Sequence, residues 1–256
     1  FQYTETSSSY ALRCMHVSPY QLLAAAGSNG SSTIKLIDLK SSASSHSLSS
    51  ANIKHGVTAV RWSPVNEFVL ASCGHNVLLW DIRQPNRVLA ILDDEARPKP
   101  NVSTRYYSDG SHFRKRKEAT ANRTTATNLE FHSNGQQLVT VCGRQRSIGV
   151  WDLRHPSPIR QFGNFVNSSN GKPVSHDLVS QPIVVDSDYF WVAQESKWVQ
   201  YSFNSDTGQP NQVLTGHLSK IQAAKMASGL MVTAGYDRLI LAWEHQHQKS
   251  RKRSRE

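Results

Sequence analysis

Near the C-terminal end, His217, Thr233 and Asp237 supply an imidazole, a hydroxyl and a carboxylate, the side-chain types of a nucleophilic triad. His245 and His247 alternate shortly after them and could hold a metal ion, but no Cys or acidic residue stands at a spacing that completes a site. Gly27 to Gly30, GSNG, has the look of a phosphate loop without the Lys and helix such a loop needs, so it reads as a hairpin turn. More specific are two copies of one motif, LLWDIR over 78–83 and GVWDLR over 149–154. Each places an acid two residues before an Arg at the end of an apolar alternation. On an extended strand Asp81 and Arg83, and likewise Asp152 and Arg154, share one side. The guanidinium fork can then hold its own carboxylate and present further donors to a partner surface.

The elements that must position these groups recur. TIKLIDLK from Thr33, NVLLWDIR from Asn76, SIGVWDLR from Ser147 and LILAWE from Leu239 each close a set of three short alternating runs separated by Ser-Pro or Gly turns. A weaker set runs through Ile183–Val185, Tyr189–Gln194 and 197–203, with Tyr201 where the others have Trp. The closing residues Ile37, Trp80, Trp151, Tyr201 and Trp243 are 43, 71, 50 and 42 residues apart. A period of about 40–45 residues with Gly-His and Trp-Asp signatures defines a WD40 propeller blade. The sequence therefore predicts an all-β WD40 β-propeller with blades near 10–40, 55–92, 124–160, 174–208 and 213–245. Seven blades is the expected ring, and the chain, which starts at Phe1, reads as lacking the N-terminal ones. The span 93–123 is an insertion between blades, Ser41 to Ser50 a low-complexity connection, and 246–256 a basic disordered tail.

In this repeat, Gly216-His217, Thr233, Asp237 and Trp243 form a structural line of hydrogen bonds from Asp through His and Thr to the indole, which displaces the triad reading. The second blade keeps His55, Ser72 and Trp80; the third keeps Trp151 with Gln145 near the Asp position. No acid, base, nucleophile or metal set survives comparison with its structural role, so the expectation is a non-enzymatic module without cofactor or metal.

The formal charge of +10 is concentrated in Arg114 to Lys117 and in the tail, where Lys249, Arg251, Lys252, Arg253 and Arg255 form a candidate nuclear-import signal. The same tail could make weak, non-specific contact with nucleic acid phosphates. No apolar run is long enough to span a membrane. Three scattered cysteines exclude a disulfide framework, and a reducing compartment follows.

VTAVRWSP, FVLASCG, NVLLWDIR with VLAILDDE, then FGNFVNSSNGKP and LTGHLSK with LILAW, occur in an order that resembles the Cockayne syndrome group A family of WD-repeat receptors. The resemblance covers residues 10 to 245, as the third to seventh blades of seven. It implies a substrate receptor of a cullin-RING ubiquitin ligase acting in transcription-coupled nucleotide excision repair, located in the nucleus. It also implies docking on the ligase's propeller adaptor, with repair or transcription proteins as substrates. Trp80, Asp81, Arg83, Trp151, Asp152 and Arg154 are the adaptor-binding residues the resemblance implies. The alternative from the same residues is a nuclear WD scaffold that assembles RNA-processing or chromatin complexes without a ligase.

Overall fold

A computed structural model describes residues 12–28, 31–41, 43–53, 56–92, 126–142, 147–154, 158–162, 181–205, 208–227 and 229–244. Gly30, His55, Gln145, the 93–123 insertion, His245, His247 and the basic tail lie outside them.

The described elements are all strands, and they form five separate antiparallel sheets. The first holds β1 (Leu12–Val17), β2 (Leu23–Ser28), β3 (Thr33–Asp38) and β4 (Ala43–Ser49). The second holds β5 (Val57–Trp62), β6 (Val69–Gly74), β7 (Val77–Asp81) and β8 (Val88–Leu92). The third holds β9 (Ala126–Phe131), β10 (Gln137–Cys142), β11 (Ser147–Asp152) and β12 (Pro158–Phe162). The fourth holds β13 (Ile183–Val185), β14 (Tyr189–Gln194), β15 (Lys197–Ser202) and β16 (Gln212–Thr215). The fifth has three described strands, β17 (Ile221–Ala227), β18 (Leu230–Gly235) and β19 (Ile240–Glu244). Each is a meander in chain order, and successive first strands touch: β1 on β5, β5 on β9, β9 on β13, β13 on β17. Sheets stacked face to face through consecutive first strands make a propeller.

Short alternating runs suffice for such strands because both faces of an interior blade are covered, so Val, Leu, Ile and Ala can occupy either side. The core lies between blades. Leu36 and Leu48 of the first sheet pack with Val60, Trp62, Leu70 and Trp80 of the second. Ala71 and Leu79 on the other face of the second pack with Leu129, Leu138 and Trp151 of the third.

Register shows how regular the repeat is. Ile37, Trp80, Trp151, Tyr201 and Trp243 pair with Ala24, Leu70, Leu138, Phe190 and Met231, in every case the second residue of the second strand. The five closing positions read from spacing are thus one structural position.

Two expectations need correction. The Ser-rich stretch is not a connection: β4 runs through it, paired with β3 from Thr33 opposite Ser49 to Asp38 opposite Ala43. Composition misleads here because an outermost strand is held by its ladder bonds and one apolar residue, Leu48, which is fully buried. Nor do Arg83 and Arg154 lie on strands beside their acids. β7 ends at Asp81 and β11 at Asp152, and both arginines sit in the turns that follow. Turning back toward a fourth strand requires leaving the extended conformation at that point.

Candidate functional site

The fifth sheet assembles the hydrogen-bonded line in full. His217 Nδ1 donates to Asp237 Oδ2 at 2.9 Å, and His217 Nε2 lies 2.8 Å from Thr233 Oγ1. Trp243 Nε1 donates to the same hydroxyl at 2.9 Å. One proton arrangement satisfies every group: indole to hydroxyl, hydroxyl to Nε2, Nδ1–H to carboxylate. Burial would raise the Asp237 carboxyl, but the amides of Leu239 and Leu218 and the imidazole outweigh it and hold the group below the usual carboxylate range. Gly235 leaves room for the pair, since a Cβ there would fall 2.7 Å from Asp237 Oδ1 and 2.8 Å from His217 Nδ1. Thr233 is 1% exposed and hydrogen-bonded on both sides, so its hydroxyl cannot meet a substrate. These residues serve the blade.

Shorter versions occupy the second and third blades. Trp80 Nε1 donates to Ser72 Oγ at 2.8 Å, and Trp151 Nε1 to Thr140 Oγ1 at 2.8 Å. In the fourth blade Val192 takes the hydroxyl position, and the Tyr201 hydroxyl accepts from Gln194 Nε2 instead. In the first, Ala26 and Ile37 make the position apolar.

One residue beyond each buried Trp the geometry changes from internal to outward. Asp81 Oδ1 accepts the Arg83 backbone amide at 3.0 Å, an Asx turn that swings the side chain back over its own acid. Arg83 Nε then donates to Oδ1 at 2.9 Å and Nη2 to Oδ2 at 2.6 Å. Asp152 and Arg154 repeat this with an amide bond of 3.0 Å and an Nε bond of 2.8 Å. Hydrogen bonding to Arg83 holds the Asp81 carboxyl below its ordinary range and raises the guanidinium; Asp152 raises Arg154 in the same way. The acids are nearly covered, with side chains 13% and 9% exposed, whereas the arginines are 62% and 68% exposed. Arg83 also lies 4.5 Å above the Phe68 ring. Each fork is therefore a fixed guanidinium with one edge used by its own blade and the remaining N–H groups turned to solvent. The six residues named for adaptor binding thus divide: the tryptophans are core, and the Asp–Arg pairs reach the surface.

Sequence reading missed a third member of this row. Asp38 pairs with Leu23 as Asp81 pairs with Val69 and Asp152 with Gln137, so Lys40 stands where Arg83 and Arg154 stand. The same turn forms, with the Lys40 amide donating to Asp38 Oδ1 at 2.8 Å. The signal was available in IDLK against WDIR and WDLR, but Ile37 in place of Trp hid it.

Interleaved all-β blades with an internal hydroxyl–indole bond and outward-facing turn residues define an interaction scaffold. The specific repeat is the WD domain, G-beta repeat (WD40), whose family model matches residues 44–81, so the chain carries a WD40 repeat in an all-β propeller. The match begins in β4 and ends with Asp81, so one sequence repeat carries the outer strand of one blade and the three inner strands of the next. Over 166 residues, 60% of this chain and 30% of the relative, it is 25% identical to Autophagy-related protein 16 of Arabidopsis thaliana. The chain spans under a third of that relative's length.

Proposed function

We propose that this WD-repeat chain is a substrate-receptor subunit of a cullin-RING ubiquitin ligase acting in transcription-coupled nucleotide excision repair, and that it is not itself an enzyme. The observation that carries the reading is the pair of Asp–Arg forks on consecutive blades, identical in geometry and open to solvent on one side. A fork held by its own acid has already lost its rotamer freedom, which lowers the entropic cost of docking. The ordered resemblance of the blade segments to the Cockayne syndrome group A family adds the identity of the partner, the ligase's propeller adaptor. In this reading the basic tail directs nuclear import.

The test is binding of the purified adaptor to the full chain by surface plasmon resonance, with and without Arg83→Ala and Arg154→Ala. A loss of about tenfold or more in the double variant, with an unchanged melting temperature, is the expected result. Adaptor affinity that does not move would remove the docking reading and leave a WD scaffold of another assembly.

A further inference from the structure

The forks are not the whole of the surface at their end of the propeller. The loops from β1 to β2 and from β5 to β6 emerge there too, because antiparallel strands bring the ends of β1, β3, β5 and β7 to one side. These loops carry three exposed apolar side chains: Tyr20 at 47%, Leu22 at 66% and Val65 at 57%. They are fixed in place. The Tyr20 hydroxyl donates to the Pro64 carbonyl of the next blade, Gln21 Nε2 donates to Glu67 Oε2 at 2.9 Å, and the Leu22 carbonyl accepts the Leu39 amide at 2.9 Å. Val65 reaches across to the third blade, where a Cβ on Gly135 would lie 2.1 Å from its Cγ2. Apolar side chains on ordered loop tips, with Tyr20 and Val65 each joined to the next blade, are unlike the scattered surface leucines any protein shows.

Lys40 stands beside Leu22, since Leu39 is bonded directly across from it. It differs from the two arginines in one respect. Asp38 is engaged by the backbone amides of Lys40 and Ser41, and no ion pair joins it to the Lys40 ammonium among the described residues. Arg83 and Arg154 are tied to their own acids through the guanidinium; the exposed Lys40 ammonium makes no such bond and acts on the Asp38 carboxyl only through space, lowering it.

We infer that Lys40, with Tyr20, Leu22 and Val65, extends the docking surface of Arg83 and Arg154 onto the first blade, and that the partner face meeting it carries apolar side chains flanked by carboxylates. The inference rests on the proposed docking reading for the partner's identity. Charge sets the partner chemistry at contact range: three cationic turn ends in a row over consecutive blades, one of them with no ion pair to its own acid among the described residues, offer N–H donors that match acidic groups and repel basic ones. The apolar triplet supplies the desolvated centre that a row of exposed cations lacks.

The purified adaptor is the probe, and the full chain is compared with Lys40→Glu, with Leu22→Ser/Val65→Ser, and with the Arg83→Ala/Arg154→Ala variant. All substituted positions are exposed, and thermal melts check that each variant is folded. The inference predicts at least a tenfold weaker complex for Lys40→Glu, with a smaller loss for Lys40→Ala, and a comparable loss for the Leu22/Val65 pair. If the arginine variant loses binding while Lys40→Glu and the Leu22/Val65 pair stay within twofold of the parent, the extension is overturned and the docking reading stands. If the Lys40 and Leu22/Val65 variants lose binding while the arginine variant does not, the first-blade surface stands and the forks are structural. If no variant weakens the complex, both are overturned.

Discussion

Replacing Thr233 with Val changes shape little and removes the one hydroxyl on which two partners converge, the half-buried Trp243 Nε1 at 2.9 Å and the buried His217 Nε2 at 2.8 Å. Each partner left unsatisfied costs about 1–3 kcal/mol, and the two share one site, so a joint cost of about 2–4 kcal/mol is expected. Thr140→Val is the internal reference. It is the same substitution at the same position of the third blade, but there the hydroxyl takes the Trp151 indole and otherwise makes only a long 3.5 Å bond to the Gly149 carbonyl, so about 1–3 kcal/mol is expected. Because the fifth sheet has an exposed face, opening of that blade alone is the informative reaction, and native-state hydrogen exchange reads it. Amides of β18 and β19 should exchange roughly 30- to 900-fold faster in Thr233→Val, with the second blade little changed. A cycle with His217→Ala isolates the imidazole arm. If Thr233→Val costs no more than Thr140→Val, the His217–Asp237 arm adds nothing, and the account of the line as a stabilising network is wrong.

Three further outcomes follow from the geometry. Gly149→Ala would place a Cβ 2.9 Å from Thr140 Oγ1 and 3.0 Å from Trp151 Nε1, wedging the hydroxyl–indole bond apart, so a loss of about 1–3 kcal/mol should appear in urea titration. Leu48→Ala empties the buried side of β4 and should cost about 2–4 kcal/mol, whereas a flexible connection would tolerate it. His16 accepts the Trp62 amide at Nδ1, 3.1 Å away, and burial, then Arg61 and Lys225, push its pKa down to about 4. A histidine depressed in the folded state contributes stability in full above the unfolded value, and loses it as pH falls from about 6.5 toward 4. The full shift would amount to roughly 3 kcal/mol; partial exposure of the ring reduces this to about 1–2 kcal/mol. Unfolding free energies of the parent and His16→Gln, measured between pH 7 and 4, should converge by that amount as pH falls.

The closing positions were legible because a buried Trp at a fixed strand position leaves a period in the sequence, and Tyr201 and even Ile37 fall into the same register once the strands are paired. What stayed hidden was whatever the backbone does without help from side chains. β4 is held by its ladder to β3, so ten residues rich in Ser gave no apolar alternation to read. The turns after Asp81 and Asp152 depend on a carboxylate accepting an amide two residues ahead, a local bond that a strand pattern of alternate residues overlooks. Register also separates Cys73 and Cys142, each of which precedes a Gly in its own repeat. Cys73 pairs with Val77 while Cys142 pairs with Ser147, one step further along than the Trp-based alignment of the two hairpins allows. None of the three cysteines is in a disulfide among the described residues, and burial pushes Cys14 up to about 11 and Cys73 to about 12, which leaves both thiols unreactive.

The Asp–Arg forks also bear on kinetics. A guanidinium whose own acid lies within hydrogen-bond distance is, at a Debye length or more, a dipole and no longer a charge. Such a group cannot draw a partner in from solution, so the forks act late, after contact, and lengthen the residence of a complex that something else has brought together. Salt should then accelerate dissociation only weakly while slowing association through whichever unpaired cations remain. A surface of this kind selects its partner at the moment of fit, and forms few fast, non-specific encounters on the way.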